Sequence, residues 1–211
     1  MKGYFITIEG PDGSGKSTIT KLLSSYLIDK GYNIVLTREP GGTKISEDIR
    51  KIILDNANTD MSYVTEALLY AASRAQHVHE KIIPAINKGK IILCDRFVLS
   101  SLVYQGIGRG LGVEKVKEIN DFAIQGIEPD LILFFDINPE IALNRKTRRN
   151  KGDRLEREDL TFHKKVYEGY LSLKEIYGNK LKTIDASKTK EETFAQVRNV
   201  VDKLLQEEKE E

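Results

Sequence analysis

The stretch Gly10-Pro11-Asp12-Gly13-Ser14-Gly15-Lys16-Ser17 constrains this chain more than any other. It fits G-x-x-x-x-G-K-[ST], the loop that wraps polyphosphates in ATP- and GTP-using proteins. The residues before it, Tyr4-Phe5-Ile6-Thr7-Ile8, form an apolar, β-branched run that reads as a buried strand. From Ser17 to Tyr26 the pattern is that of an amphipathic helix, with Ile19, Leu22, Leu23 and Tyr26 on one face. Glycines let consecutive backbone N–H groups curl around an anion, and the helix dipole favours negative charge at its start. Gly10, Pro11, Asp12, Gly13, Ser14, Gly15, Lys16, Ser17 and Thr18 are therefore the expected ATP-binding residues. Lys16 is placed to reach the β/γ phosphates, and the Ser17 hydroxyl to ligate Mg²⁺.

A phosphate loop in this context demands a parallel α/β sheet, and the rest of the chain supplies the strands. Tyr32–Thr37, Lys90–Asp95, Leu131–Asp136 and Leu181–Asp185 are short apolar runs, separated by helical patterns. Helices are expected beyond Thr43, over 63–87, 100–105 and 113–125, up to about Tyr177, and over 190–206. Five strands alternating with helices predict a parallel sheet covered on both faces, a three-layer sandwich of the P-loop NTPase type. Ligands in such folds bind beyond the carboxyl ends of the strands. Gly10, Arg38, Asp95, Asp136 and Asp185 all fall there and are expected to share one rim.

The 211 residues suit a single α/β domain, with no linker, repeat or low-complexity segment, and the acidic end 207–211 reads as a frayed tail. A net charge of +1 argues against binding nucleic acid by bulk electrostatics. No apolar stretch approaches membrane-spanning length, and Met1-Lys2-Gly3-Tyr4 enters a strand directly, so neither a membrane span nor a signal peptide is expected. The single Cys94 lies in an apolar run and reads as a buried, reduced thiol of the cytoplasm.

Asp95 follows three aliphatic residues at a strand end, where a phosphate-loop enzyme places a second acidic group that helps hold Mg²⁺. Capping the next helix is the alternative. Asp136 precedes Asn138-Pro139 and reads as a cap. Arg38, Arg50, Arg74 and Arg96 gather near the rim and exceed what ATP's own loop needs, so a second anionic group is expected beside the first. Between 144 and 157 a basic segment carrying Arg145, Arg148, Arg149, Arg154 and Arg157 reads as a lid that delivers arginines to a transferring phosphoryl group. His77, His79 and His163 lack metal-ligand spacing and read as surface or packing residues. Asn150-Lys151-Gly152-Asp153 fits the N-K-x-D element of GTPases, but it follows no buried strand and lacks a D-x-x-G partner after Asp95.

Beyond the phosphate loop, several stretches resemble the bacterial-type thymidylate kinases over nearly the whole chain. They are Thr37-Arg38-Glu39-Pro40-Gly41-Gly42-Thr43, Tyr70-Ala71-Ala72-Ser73-Arg74, Asp95-Arg96-Phe97, Ser100-Ser101-Leu102-Val103-Tyr104-Gln105-Gly106, and Asp153-Arg154-Leu155-Glu156. The resemblance implies phosphorylation of dTMP by ATP with Mg²⁺, by a homodimer whose apolar face would come from the helices at 63–87 and 98–125. It implies a dTMP pocket in which Tyr70 stacks on the base, and Arg74 meets the phosphate and thymine O4 side. Arg96, with Arg38 and Arg50, would hold the acceptor phosphate, and Glu39 and Ser100 join the same pocket. Ser101 and Gln105 would contact the base, Asp12 the 3′-hydroxyl, and Tyr104 would exclude a 2′-hydroxyl. Lys16, Arg96, Arg145, Arg149 and Arg154 would be the catalytic cations, Ser17 and Asp95 the metal ligands, and the 185–188 loop would lie near adenine. Tyr70 stands where phenylalanine is common in that family, and Phe97 where tyrosine or histidine is. A kinase for another nucleoside monophosphate such as dUMP or dCMP, and a non-enzymatic nucleotide switch, are the alternatives.

Overall fold

The computed structural model describes residues 3–147 and 152–207. It contains β1 (Tyr4–Glu9), α1 (Lys16–Asp29), β2 (Ile34–Arg38), α2 (Lys44–Leu54), α3 (Tyr63–His77), α4 (Ile83–Asn87), β3 (Ile91–Asp95) and α5 (Val98–Ser101). There follow α6 (Val113–Ala123), β4 (Leu131–Asp136), α7 (Pro139–Thr147), α8 (Leu160–Leu173), β5 (Leu181–Asp185) and α9 (Lys190–Glu207). The five strands form one sheet in the order β2-β3-β1-β4-β5, and every pairing is parallel. Parallel neighbours need crossover connections, which the intervening helices provide.

Burial explains the strand sequences. β1 is buried throughout, as are all but the last residues of β3 and β4, so these three are apolar almost end to end. The edge strands β2 and β5 are only partly buried, and β5 turns Lys182 outward. Alternate residues supply the two layers of core. On one face Ile6, Ile8, Leu93, Leu133 and Phe135 pack on Ile19, Leu23 and Leu27 of α1 and on Val197, Val201 and Leu205 of α9. On the other, Phe5, Ile92 and Cys94 meet Val78 and Ile82, while Ile132 and Phe134 meet Val103, Val166 and Tyr170. Cys94 is wholly buried, as expected of a packing thiol, and burial pushes its pKa well up.

Two stretches differ from the simple helices expected. The helix over 63–87 widens to a π-turn at Val78–Ile82 before α4. Pro84 has no N–H and its ring would crowd the carbonyl four residues back, a conflict that a wider turn relieves. The helix expected at 100–105 is α5 followed by a π-helical segment over Leu102–Gly108.

The chain reverses direction across the sheet at β1, whose neighbours β3 and β4 lead to opposite edges. The crevice beyond its carboxyl end is the topological switch point, and the phosphate loop occupies it. Arg38 pairs with Asp95 across the β2–β3 register, and Ile8 pairs with Asp95 from the other side. The rim predicted from sequence is thus one physical edge.

The turn after β2 depends on a glycine. Gly42 has φ +93°, and a Cβ there would lie 2.6 Å from both His77 Nε2 and Thr37 Oγ1. At Gly31, φ is +87° but nothing lies within 4 Å of a Cβ. Gly31→Ala is expected to cost about 1–2 kcal/mol, the left-handed backbone term alone. Gly42→Ala adds overpacking, for a loss of roughly 2–5 kcal/mol. Urea denaturation of the two variants checks the order, and equal losses would refute the steric argument.

Candidate active site

The phosphate loop is built by the end of β1 and the start of α1. Gly15 lies in the left-handed region at φ 90° and turns the chain into the helix; no side chain caps that end. The first N–H groups of α1 therefore remain open to an anion. Lys16 is buried, and its Nζ donates to the carbonyls of Gly10 and Pro11, both at 2.8 Å. Burial, and then the nearby Arg96, push its pKa down to about 8, against the opposing pull of Asp95, Asp12 and Glu9. Ser17 Oγ donates to Asp95 Oδ2 at 3.1 Å, which joins the helix start to the end of β3. Asp95 Oδ1 is buried without a hydrogen-bond partner. An orphaned carboxylate oxygen beside a hydroxyl is a fitting donor set for a hard divalent cation. Asp95 is thus aimed at Ser17.

Asp136 is not the cap that the sequence predicts. Asn138 Oδ1 accepts from Glu140 N at 2.8 Å and caps α7, while Asp136 Oδ1 accepts from Tyr167 OH at 2.7 Å. Asn138 lies immediately before the first helical residue and so has the geometry of an N-cap, which Asp136 lacks.

Arg96 stands where the loop meets the second pocket. Its φ is 70°, unusual for a residue with a Cβ, and the surroundings hold it there. Its guanidinium donates to Asp12 Oδ1 at 2.8 Å, Ser100 Oγ at 3.0 Å, and the hydroxyls of Tyr104 and Tyr170, both at 3.3 Å. Under it lies Glu9, fully buried, accepting from Phe97 N at 2.7 Å, from Ser100 Oγ and from Tyr170 OH. Burial raises the Glu9 pKa, opposed by the bond from Ser100 and the charge of Arg96.

The second pocket is walled by α3 and the turn after β2. Arg74 is 2% exposed. It donates from Nε to Glu39 Oε2 at 2.7 Å, from Nη1 to Ser101 Oγ at 3.1 Å and to Asn120 Oδ1, and from Nη2 to the Phe97 carbonyl at 3.0 Å. A guanidinium has five N–H groups, so one on Nη2 is left for a ligand. Glu39 also bonds His77 Nδ1 at 2.9 Å, and His77 Nε2 bonds Thr37 Oγ1 at 2.7 Å. His77 is therefore no surface residue but a buried brace of this turn. Arg50 Nη1 donates to the Pro40 carbonyl at 2.7 Å, and half-exposed Arg38 pairs with Glu47 at 2.9 Å.

One cleft of about 750 Å³ unites these parts. Asp12, Gly13, Gly15, Lys16, Ser17 and Thr18 line it from the loop, and Asp95 and Arg96 from β3. Arg38, Glu39, Arg50, Tyr70, Arg74, Ser100, Ser101, Tyr104 and Gln105 line it from the side of the second pocket. A smaller hollow of about 300 Å³ shares Gly15, Thr18 and Arg145 with it and is walled by Ala186 and Lys188.

The basic segment is arranged otherwise than expected. Arg145 lines both cavities, but its guanidinium donates to the carbonyls of Ala186 at 3.0 Å and Ser187 at 3.5 Å. Arg154 does not line the cleft. It pairs with the buried Glu66 at 2.5 Å and donates to the Ile53 carbonyl at 3.0 Å. A fully buried carboxylate is the strongest partner within its reach, so Arg154 clamps the segment to α3. Arg149 lies outside the described residues.

The comparisons with known proteins agree with this geometry. The family model described as thymidylate kinase matches residues 8–197. The thymidylate kinase of Finegoldia magna is 55% identical over 93% of this chain and 97% of its own length. That of Lactobacillus helveticus is 53% identical over 98% and 99%. The chain belongs to the thymidylate kinase family. The crystal structure of thymidylate kinase from Ehrlichia chaffeensis shares its fold with a TM-score of 0.77 at 29% identity, covering 95% of this chain and 99% of that one. The enzyme is accordingly an ATP-dependent nucleoside monophosphate kinase.

Sequence reasoning assigned no role to Glu9, Glu66, Asn120 or Tyr170. Glu66 was within reach, because Glu66, Tyr70 and Arg74 fall at i, i+4 and i+8 and so share a face of α3. Tyr170 bonds Glu9 across 161 positions, and no local pattern announces such a pair.

The depressed Lys16 pKa has a measurable consequence. A bound polyphosphate favours the charged lysine and raises its pKa from about 8 toward the ordinary 10.5. Between those values the complex holds more protons than the free enzyme, so ATP binding at pH 8.5–9 should take up a proton and weaken as pH rises. Calorimetry in buffers of different ionisation enthalpy reads the uptake, which should vanish in Lys16→Met. Equal uptake in both proteins would assign the proton to another group.

Proposed function

We propose that the enzyme transfers the γ-phosphoryl group of ATP to dTMP, giving dTDP and ADP for dTTP synthesis, with Arg96 at the junction of the two substrates. The observation that carries this reading is the Arg96 guanidinium, bonded at once to Asp12 of the phosphate loop and to Ser100 and Tyr104 of the acceptor pocket. A cation so held is preorganised to face phosphoryl charge from both sides. ATP would lie with its phosphates on Gly10–Thr18 and its adenine toward Ala186 and Arg145.

No strong general base is required. The second pKa of a phosphate monoester is about 6, so dTMP arrives mostly as a dianion at pH 7. The obstacle is repulsion between two phosphates, and Lys16 and Arg96 oppose it. Ser17 and Asp95 would hold Mg²⁺, which supplies further charge neutralisation when bound. On the acceptor side Arg38 and Arg50 would support the dTMP phosphate, Tyr70 would stack on thymine, and the spare N–H of Arg74 would meet a ring carbonyl. Tyr104 packs under Arg96, with the guanidinium 5.0 Å from its ring, and would crowd a 2′-hydroxyl. Arg145 would frame the nucleotide, and Arg154 would fasten the basic segment. The role expected of Arg149 belongs to a residue outside the described ones.

Among the described residues no helix is long and apolar enough to cross a membrane, and a cytoplasmic setting suits the two substrates. We propose a homodimer as well. On neighbouring helices, Val64 and Leu68 of α3 are about half exposed, and Phe122 of α6 is 90% exposed, a costly surface for a monomer. Sedimentation should show a dimer at micromolar concentration, and Leu68→Glu with Phe122→Glu should shift it to monomer. A monomeric wild-type protein would remove this interface.

ADP release from MgATP with dTMP, dUMP, UMP and dCMP supplied separately tests the activity. Turnover should be fastest with dTMP, weaker with dUMP and slight with UMP and dCMP. Lys16→Met and Arg96→Ala should each lower kcat by about 10²-fold or more. Near-normal turnover in either variant would sink the roles given to these cations.

A further inference from the structure

Glu66 on α3 lies behind the acceptor pocket and is not among its lining residues. It is fully buried, and three side chains converge on it. Gln105 Nε2 donates to its Oε1 at 2.9 Å, Arg109 Nε to the same oxygen at 3.2 Å, and Arg154 Nη2 to Oε2. Arg109 Nη2 adds a bond to Oε2 at 3.3 Å and is itself shared with Glu158 through Nη1 at 2.7 Å. Gln105 is 1% exposed yet lines the cleft.

This arrangement fixes a chemical polarity. An amide has a donating and an accepting end of nearly equal shape, and by itself it turns either one toward a ligand. Glu66, between two guanidinium groups, is a carboxylate and offers only lone pairs. It therefore takes the NH₂ end of Gln105 and leaves the carbonyl oxygen as the end available to the pocket. That oxygen has no protein partner among the described residues. A carbonyl acceptor matches the ring N3–H of thymine or uracil. The N3 of cytosine is a lone pair, and two acceptors repel each other.

We propose that Glu66 is a positioning residue for base specificity: it holds the Gln105 amide in the one orientation that accepts a hydrogen bond from the acceptor base. The inference rests on the placement of dTMP given above and adds the reason why the pocket excludes a base lacking the N3–H donor. Arg109 and Arg154 keep Glu66 in its accepting role. Because Arg154 comes from the basic segment, that segment and the base pocket share one carboxylate.

The test is Glu66→Gln, which can donate or accept at the same place and so frees the Gln105 amide to turn. Its KM for dTMP and for dUMP should rise together about tenfold, with kcat within about threefold of wild type. The kcat/KM preference for dTMP over dCMP should narrow about tenfold or more, since unmatched polar groups at a base edge are what such discrimination rests on. A variant that loses kcat/KM equally with all three monophosphates would show a structural role only and overturn the proposal. Gln105→Met separates the two levels of argument. If it leaves the dTMP KM unchanged, the placement of the base against Gln105 fails, and this inference with it. If it raises KM while Glu66→Gln does not, only the role of Glu66 fails.

Should Glu66→Gln not fold, hydrogen exchange of the Gln105 side-chain amide in the wild-type enzyme decides. Its NMR signals are assigned by their loss in Gln105→Met. Exchange slowed at least tenfold relative to exposed Gln206 is expected, and equal exchange would overturn the proposal.

Discussion

The contact on which the site depends is the ion pair between Arg96 and Asp12, at 2.8 Å. It joins the turn after β3 to the phosphate loop after β1, two strands already in parallel register beneath it. Arg96 adopts a backbone conformation that costs about 1–2 kcal/mol for a residue with a Cβ. Bonds from a charged group contribute about 1.5–3 kcal/mol each where water is excluded, so four such partners outweigh that cost. Glu9 adds a buried negative charge on the far side, which compensates the cation without occupying the cleft. The strain and the contacts together hold the guanidinium in the cleft, where the phosphate loop meets the second pocket.

Two other buried carboxylates repeat this logic around the second pocket. Glu39 holds Arg74 through Nε and is itself braced by His77, while Glu66 holds Gln105, Arg109 and Arg154. Burying an ion is expensive unless it is fully paired, and removing one member of such a pair costs about 3–5 kcal/mol. The pocket-facing side chains therefore have little freedom. Arg74 spends four of its five N–H groups on protein atoms, which leaves recognition to a single remaining donor rather than to a mobile charge. Rigid, partly spent donors select a ligand by geometry.

Much of this was legible in the sequence, for physical reasons that also mark where legibility ends. The three inner strands are buried on both faces, so each is apolar almost throughout, and β4 and β5 match the predicted spans residue for residue. Strand ends in a parallel sheet share a rim by topology alone, which is why Arg38, Asp95 and Arg96 could be placed together without coordinates. The partners of those residues could not. Tyr170 comes from α8, Asn120 from α6 and Glu66 from α3, and each joins the site only because helices pack across the sheet face. Asp136 was misread because two polar residues stood near one helix start, and only backbone geometry decides which of them is the cap.

The basic segment shows the same limit in charge rather than in packing. Its arginines are dense in sequence, and density predicts a common target for them. Arg145 and Arg154 have different targets, because the two guanidinium groups meet different acceptors. Arg145 leaves α7 beside the carbonyls that follow β5, and Arg154 faces α3, where it shares buried Glu66 with Arg109. A cluster of cations along a chain is therefore not a cluster in space. Arg145 thus ties the end of α7 to the turn after β5 at Ala186, and Arg154 ties the start of the chain beyond residue 152 to α3 at Glu66.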